Sequence, residues 1–374
     1  MDHRTNPKTG DKLSLLGLGL MRLPLAGSEM ADIDTQKAEA IVEACIRGGV
    51  NYFDTAYNYH DKNSELFAGR ALSAHPRGSY HLATKLPIWL VDSLDKAKEL
   101  FARQLKNCQT DYFDYYLVHA MDEEDNAVFE KYGLWAWLED MRRDGRVRHI
   151  GFSSHNTPEV LERFLAQHPW DFVQLQINYV DWDFQDAAAQ YALTEQYQLP
   201  CIVMEPVRGG RLATLGPEAD ALLKAHSPTA STASWALRFA AALPNVITVL
   251  SGMSTLQQVQ DNLATFSPLR PLSDEEKALL FKAGDIFKAQ NAIPCTNCAY
   301  CMPCPQDVDI PGMLAVANAC ALDSSTFRFK GRYAEFPQQH NAGHCIACGQ
   351  CEAACPQHIP IMQHMQKMAK DAAE

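Results

Sequence analysis

The chain has twelve cysteines, and eight of them stand in two short runs. The first, CTNCAYCMPCP, sets Cys295, Cys298, Cys301 and Cys304 at steps of three and closes on Pro305. The second, CIACGQCEAACP, sets Cys345, Cys348 and Cys351 at the same step, followed by Cys355 and Pro356. Three thiolates so spaced can wrap one corner of a four-iron cube. The fourth, held away by its proline, can ligate a neighbouring cube. Eight ligands then make two 4Fe-4S clusters, with Cys295, Cys298, Cys301 and Cys355 on one and Cys304, Cys345, Cys348 and Cys351 on the other. The first run has two residues rather than three before its last cysteine, which weakens the exchange but not the ligand set. Zinc is the rival metal, but it usually takes two C-x2-C knuckles across a gap. A disulfide scaffold suits a small secreted chain. Cys45, Cys108 and Cys201 read as core fillers, and Cys320 lies between the two runs.

A second set of polar residues stands where short apolar runs end: Asp54 in NYFD, Lys85 in HLATK and His119 in YYLVH, with Tyr59 in the loop five residues after Asp54. Singly, each has a plain reading as a loop cap, a lid aromatic, a snorkelling lysine or a core histidine. Together they make a proton donor. A phenol of pKa about 10 needs a neighbouring ammonium before it gives up its proton readily, and a carboxylate behind the ammonium orients it. His119 can bond to the carbonyl oxygen on which charge collects. None of these groups supplies a hydride, so a cofactor is required.

The elements that must position these residues alternate along the first 250 residues or so. Strand candidates are LSLLGLGL, NYFDTA, YHLATKL, YYLVHA, VRHIGFSS, FVQLQINYV, CIVMEPV and VITVLSGM. Between most of them lie amphipathic stretches such as TQKAEAIVEACIRGG, LDKAKELFARQLKNC and TPEVLERFLAQH. Gly48 and Gly49 stop the first of these, and Ser273 with Glu276 forms a capping box further on. Eight strands alternating with helices predict a (β/α)8 TIM barrel, with chemistry at the carboxyl ends of the strands. A doubly wound sheet is the alternative, but no G-x-G-x-x-G opens a helix and no P-loop is present. The expected organisation is a barrel over 1–270, a helical connector over 271–292, and a small, mainly helical ferredoxin-like domain over 293–374. PGMLAVANACAL (311–322) is a helix of that last domain.

Bulk properties narrow the class. With 374 residues and 47% hydrophobic content the chain can bury a large core. Its formal charge of −12 argues against nucleic-acid binding. No apolar run reaches the roughly 18 residues of a membrane span, and MDHRTNPKTG lacks the apolar core of a signal peptide. A reducing cytoplasm is the expected location.

The stretches NYFDTAYNYHDKNSE, ATKL, YYLVHA, HIGFSS, FVQLQINYV and MEPVRGG resemble the aldo/keto reductases, over residues 13 to about 264. The cysteine-rich tail is similar to that of the branch carrying a ferredoxin-type domain. The resemblance implies that Asp54, Tyr59, Lys85 and His119 are the catalytic tetrad, with Tyr59 the general acid in carbonyl–alcohol interconversion. It implies NADP(H) or NAD(H) as cofactor, the nicotinamide amide held at Ser153, Ser154 and Gln174. It places the phosphates along Gly209, Gly210 and Leu212 and along Ser251, Gly252 and Ser254, with Gln258 and Asn262 on the next helix. Three positions depart from the family. Gly252 and Gln258 stand where many members present a Lys and an Arg. Met204 stands where a Tyr often stacks on the nicotinamide. Ser154 replaces a frequent Asn. Trp89 and the segment YVDWDF (179–184) are candidates for the substrate rim, and Glu205 for a cofactor or loop contact.

Hydride is a two-electron carrier and a four-iron cluster a one-electron carrier, so direct exchange is awkward without a flavin, for which no signature is present. The clusters either pass electrons to a redox partner protein or hold and sense, and two clusters favour a relay. The competing whole-chain reading is an iron-sulfur carrier or sensor whose barrel binds nucleotide without efficient turnover.

Overall fold

The computed structural model describes residues 1–27, 29–291, 293–320, 326–337 and 340–373. Parallel strands β3 (Leu16–Gly19), β4 (Tyr52–Asp54), β5 (His81–Leu86), β6 (Phe113–Val118), β7 (Val147–Ser154), β8 (Phe172–Gln176), β9 (Cys201–Met204) and β10 (Val246–Ser251) close into a barrel, β10 pairing back onto β3. The expected TIM barrel is therefore present. Every residue of β6, FDYYLV, is buried, as befits a parallel strand covered on both faces. Tyr52, Ala83, Tyr115, Phe172, Ile202 and Ile247 pack together inside, so the barrel is filled rather than hollow.

Before it, β1 (His3–Thr5) and β2 (Lys12–Ser14) form an antiparallel hairpin. The run LSLLGLGL, read as one strand, is divided. Ser14 pairs with His3, whereas Leu16 begins the barrel ladder. Asn51 holds the division, its Oδ1 accepting the Ser14 amide at 2.7 Å and its own amide donating to Ser14 Oγ at 2.9 Å.

Local signals set the helix ends. Thr35–Arg47 starts at Asp34, whose side chain accepts the Lys37 amide, and stops at Gly48 and Gly49, the latter at φ +88°. Leu94–Asn107 starts at Ser93 and buries Ala97, Leu100, Phe101, Gln104 and Leu105, a helical stripe. The Ser273–Glu276 capping box forms in both directions, at 2.9 and 3.1 Å. Helices Glu123–Lys131, Leu134–Arg143 and Ala187–Gln196 were not among the sequence signals. The last buries Ala187, Gln190, Tyr191 and Thr194, two of them polar, so no apolar stripe marks it.

The chain packs as two units, Met1–Val207 with Ala230–Lys277, and Arg208–Thr229 with Ala278–Glu374. The second unit is mainly helical, with helices Pro217–His226, Ile310–Cys320, Thr326–Ala334 and Ile361–Ala373. Ile310, Met313, Leu314, Ile361, Met365 and Met368 form its centre, with six of the clustered cysteines in the same apolar cluster: Cys295 buried, and Cys301, Cys304, Cys345, Cys351 and Cys355 partly buried around it. Buried Asn318 clamps Ile293, accepting its amide at 2.9 Å and donating to its carbonyl at 2.8 Å. The boundary expected near Ala292, and residues Ala321 and Leu322 at the end of the expected helix, lie outside the described residues. Among the described residues no helix is long and apolar enough to cross a membrane.

Candidate active site and cysteine cavities

Adjacent strand ends bring four of the singled-out side chains together. Asp54 ends β4, Lys85 lies near the end of β5 opposite Leu117 of β6, and His119 follows β6 directly. Lys85 Nζ donates to Asp54 Oδ1 at 2.6 Å, to the Thr55 carbonyl at 2.8 Å and to the Tyr59 hydroxyl at 3.4 Å. An ammonium has three protons, and all three are engaged. The Tyr59 and His119 rings meet edge to face with centroids 6.0 Å apart. Tyr59 is only 8% exposed and Lys85 1%, so the ammonium acts on the phenol with little screening by water.

Burial pushes the Asp54 carboxyl above its ordinary range, and the Lys85 ammonium opposes that. Burial drives the His119 imidazole well below its ordinary value, with the charges of Lys85 and His155 adding to it. His119 is therefore a neutral imidazole at physiological pH. Tyr59 leads into an uncommon backbone run, His60, Asp61 and Lys62 at φ +50°, +49° and +74°. Left-handed backbone costs a non-glycine residue about 1–2 kcal/mol. His60 helps hold the run, its Nε2 accepting the Leu23 amide and its Nδ1 facing the Met30 carbonyl at 2.9 Å.

Behind Lys85 lies a network that its own strand does not reveal. Glu65, fully buried, accepts from Thr84 Oγ1 and Gln104 Nε2, both at 2.7 Å, and from Asn107 Nδ2 at 3.1 Å. Gln104 also donates to the Lys85 carbonyl at 2.9 Å, fixing the strand that carries the ammonium. The only sequence trace of this is polar residues on otherwise apolar helix faces. Trp89, 46% exposed, tilts against His119 at 5.2 Å between centroids, on the same rim.

The residues singled out for a cofactor fall in three groups. Ser153 and Gln174 are register partners on β7 and β8. Ser153 Oγ accepts the Ala120 amide at 2.7 Å, and Gln174 Nε2 lies 3.7 Å from Met204 Sδ. Gln174 Oε1 is buried with no hydrogen-bond partner among the described residues. Such an acceptor is costly unless a ligand meets it, which is what a carboxamide NH2 would do. Ser154 Oγ accepts from Asn156 Nδ2 at 2.9 Å, and the same Nδ2 donates to the Met121 carbonyl at 2.7 Å. In the second group, Asn262 Nδ2 donates to Ser251 Oγ at 2.9 Å and Gln258 Oε1 accepts the Ser254 amide at 2.7 Å. Gly252 stands against Arg22, whose Cβ would lie 3.1 Å from a side-chain carbon placed there. The third group, Gly209, Gly210 and Leu212, belongs to the second unit. Glu205 takes a left-handed φ of +55°, and its carbonyl accepts from Asn178 Nδ2 at 3.2 Å. In YVDWDF, Asp181 Oδ2 accepts from Asn178 and Gln176.

The clustered cysteines line two cavities. One is walled by Cys295, Cys298, Cys301 and Cys355. The other is walled by Cys304, Cys345, Cys348 and Cys351, with Cys301 also at its edge. Burial raises the Cys301 thiol, and Cys298, Cys295 and Cys355 raise it further, in line with the first grouping. Cys351 is raised by burial and then by Cys345, in line with the second. Left-handed residues thread both runs, Asn297 and Ala299 in one and Ala347 and Gly349 in the other. The Asn297 amide donates to Cys295 Sγ at 3.4 Å. Among the described residues no group of three His, Cys, Asp or Glu is placed to hold a single metal ion. A four-iron cube takes one thiolate per iron, so four sulfurs spread around a cavity suit it better than four converging on a point.

Residues 15–284 match the model of the aldo/keto reductase family, and residues 294–359 that of a 4Fe-4S dicluster domain. The uncharacterized oxidoreductase YqkF of Bacillus subtilis is 26% identical over 313 residues, covering 75% of this chain and 96% of that protein. L-galactose dehydrogenase of Arabidopsis thaliana is 27% identical over 295 residues, covering 72% and 90%. The holo form of the aldo-keto reductase AKR11C1 from Bacillus halodurans superposes with a TM-score of 0.62 at 26% identity, covering 76% of this chain and 96% of that one.

Proposed function

This chain belongs to the aldo/keto reductase family and is an NAD(P)H-dependent oxidoreductase, and from that premise we propose that it interconverts a carbonyl and an alcohol with Tyr59 as general acid. The observation that carries the reading is the Lys85 ammonium, with one proton on Asp54, one on the Thr55 carbonyl and one on the Tyr59 oxygen. A reduced nicotinamide, when bound, would supply the hydride. Tyr59 gives its hydroxyl proton to the substrate oxygen, and Lys85 stabilises the phenolate that remains. Asp54 keeps Lys85 charged and aimed. Neutral His119 bonds to the same substrate oxygen and orients the carbonyl. Trp89, beside His119 on the rim, would line the substrate pocket.

Gln174, with its open buried acceptor, and Ser153 and Ser154 would hold the carboxamide, with Met204 beside the ring. Ser251, Gly252, Ser254, Gln258 and Asn262 would line the adenosine side, and Gly209, Gly210 and Leu212 would meet the phosphates. The eight cysteines would hold two 4Fe-4S clusters in the groupings of the two cavities, supplying one-electron chemistry toward a redox partner protein.

The test pairs Tyr59→Phe with the wild type over a panel of aldehydes and ketones, measuring turnover and nucleotide affinity together. Turnover should vanish while affinity stays within a few-fold. Unchanged turnover would move the acid elsewhere. Iron and sulfide analysis after anaerobic purification should give about eight irons per chain, one for each thiolate.

A further inference from the structure

We propose that the segment Arg208–Leu212 couples phosphate binding to the redox state of the cluster at Cys295. The proposal rests on the reading just given, that this segment meets nucleotide phosphates and that the cysteines hold clusters.

Two guanidiniums bracket the glycine pair in Arg208-Gly209-Gly210-Arg211. Both point their bonds at the chain that delivers the first ligand. Arg208, 1% exposed, donates from Nη2 to the Pro294 carbonyl at 3.1 Å, one residue before Cys295. Arg211 Nη2 donates to Asn291 Oδ1 at 2.9 Å. The glycines take φ of +64° and +91°, and nothing lies within 4 Å of a side-chain carbon placed on Gly210, which leaves that backbone open.

A guanidinium keeps its charge at any physiological pH and has no acceptor, so it serves whichever anion is near. One electron added to a cluster adds one unit of negative charge beside Cys295. A pyrophosphate on the glycine pair brings negative charge to the same two cations. The two therefore compete, and linkage makes the competition reciprocal: bound nucleotide disfavours reduction, and a reduced cluster disfavours nucleotide. The cluster unit then acts as a sensor that loosens nucleotide binding when single electrons accumulate.

The experiment uses anaerobically purified holoprotein with its iron content verified. The probes are ADP-ribose and its 2'-phosphate, which keep the pyrophosphate but lack the nicotinamide ring. Their binding is measured by calorimetry, and the cluster midpoints by dithionite titration followed by electron paramagnetic resonance. A tenfold weaker affinity for the reduced protein corresponds to a shift of about 59 mV to more negative potential for a one-electron couple. One cluster should shift by that order and the other stay in place. Arg211→Gln should lower that midpoint without ligand and remove most of the ligand-induced shift, with iron content intact. Arg211→Lys should restore part of both. Binding without a shift of either midpoint overturns the coupling alone. Absence of binding overturns the phosphate reading and the coupling with it, and absence of iron does the same through the cluster reading.

Discussion

In the barrel, the buried ammonium of Lys85 finds a protein partner for each of its protons. In the cysteine unit, burial works against ionisation of Cys301, Cys351 and Cys355, and their neighbouring cysteines oppose it further. Both are collections of ionisable side chains partly or fully withdrawn from water. The first is finished by the chain itself, so its geometry exists before any ligand arrives. On the proposed reading the second asks for a metal, because a thiol held protonated by burial becomes a ligand only when a cation takes the place of its proton. Preorganisation belongs to the site that must act on a passing substrate. Dependence on a bound group belongs to the site that keeps one.

The strongest way to break this contrast is to strip the metal. Chelation under oxidising conditions should leave Cys295–Cys355 without its cross-links while the barrel strands persist. Limited proteolysis should then cut within 293–374 and spare 1–207. Equal protection of both regions would mean that the cysteine unit is as self-sufficient as the barrel. The reverse perturbation is Lys85→Met, which leaves Asp54 buried without its cation. It should cost about 3–5 kcal/mol in denaturant unfolding and lower turnover by roughly 10²–10⁴. Its iron content should equal that of the wild type, and a fall in iron would show that the two sites are not independent.

A smaller effect sharpens the claim that the barrel site is supported from behind. Glu65→Ala strips the acceptor from Thr84, Gln104 and Asn107. A loss of about 1–3 kcal/mol is expected from the donors left unsatisfied, together with a fall in kcat larger than any change in KM. Unchanged kinetics would reduce Glu65 to a packing role. The smallest effect is in pH. The His119 pKa is depressed on folding, so its contribution is fully favourable above the ordinary value of 6.5. As pH falls below 6.5 the unfolded chain takes up a proton that the buried imidazole refuses. Stability should therefore decline on acidification by on the order of 1 kcal/mol per pH unit. His119→Gln should flatten that slope in acid-range urea titrations.

Much of this is legible in the sequence. The alternation of apolar runs with amphipathic stretches indicated the barrel, and residues ending NYFD, HLATK and YYLVH were placed at neighbouring strand ends by that alternation alone. The cysteine spacing suggests two sets of four; one cavity is lined by Cys295, Cys298, Cys301 and Cys355, and the other by Cys304, Cys345, Cys348 and Cys351 together with Cys301. The left-handed run after Tyr59 has no sequence signal, because His60, Asp61 and Lys62 include no glycine. The bond from Asn156 to Ser154 has no sequence signal, because it depends on how the chain turns after β7.

What the sequence determined by itself is what repeats over a few residues: strand and helix periods, caps and ligand spacing. These follow from backbone geometry and local hydrogen bonding, which a window of neighbours contains. Only the tertiary structure decided that Glu65 and Gln104 meet behind Lys85 and that Arg208 reaches Pro294, 86 positions away. Such partners are chosen by barrel closure and by the cost of burying a charge unpaired, and the order of nearby residues does not say which polar side chains will meet.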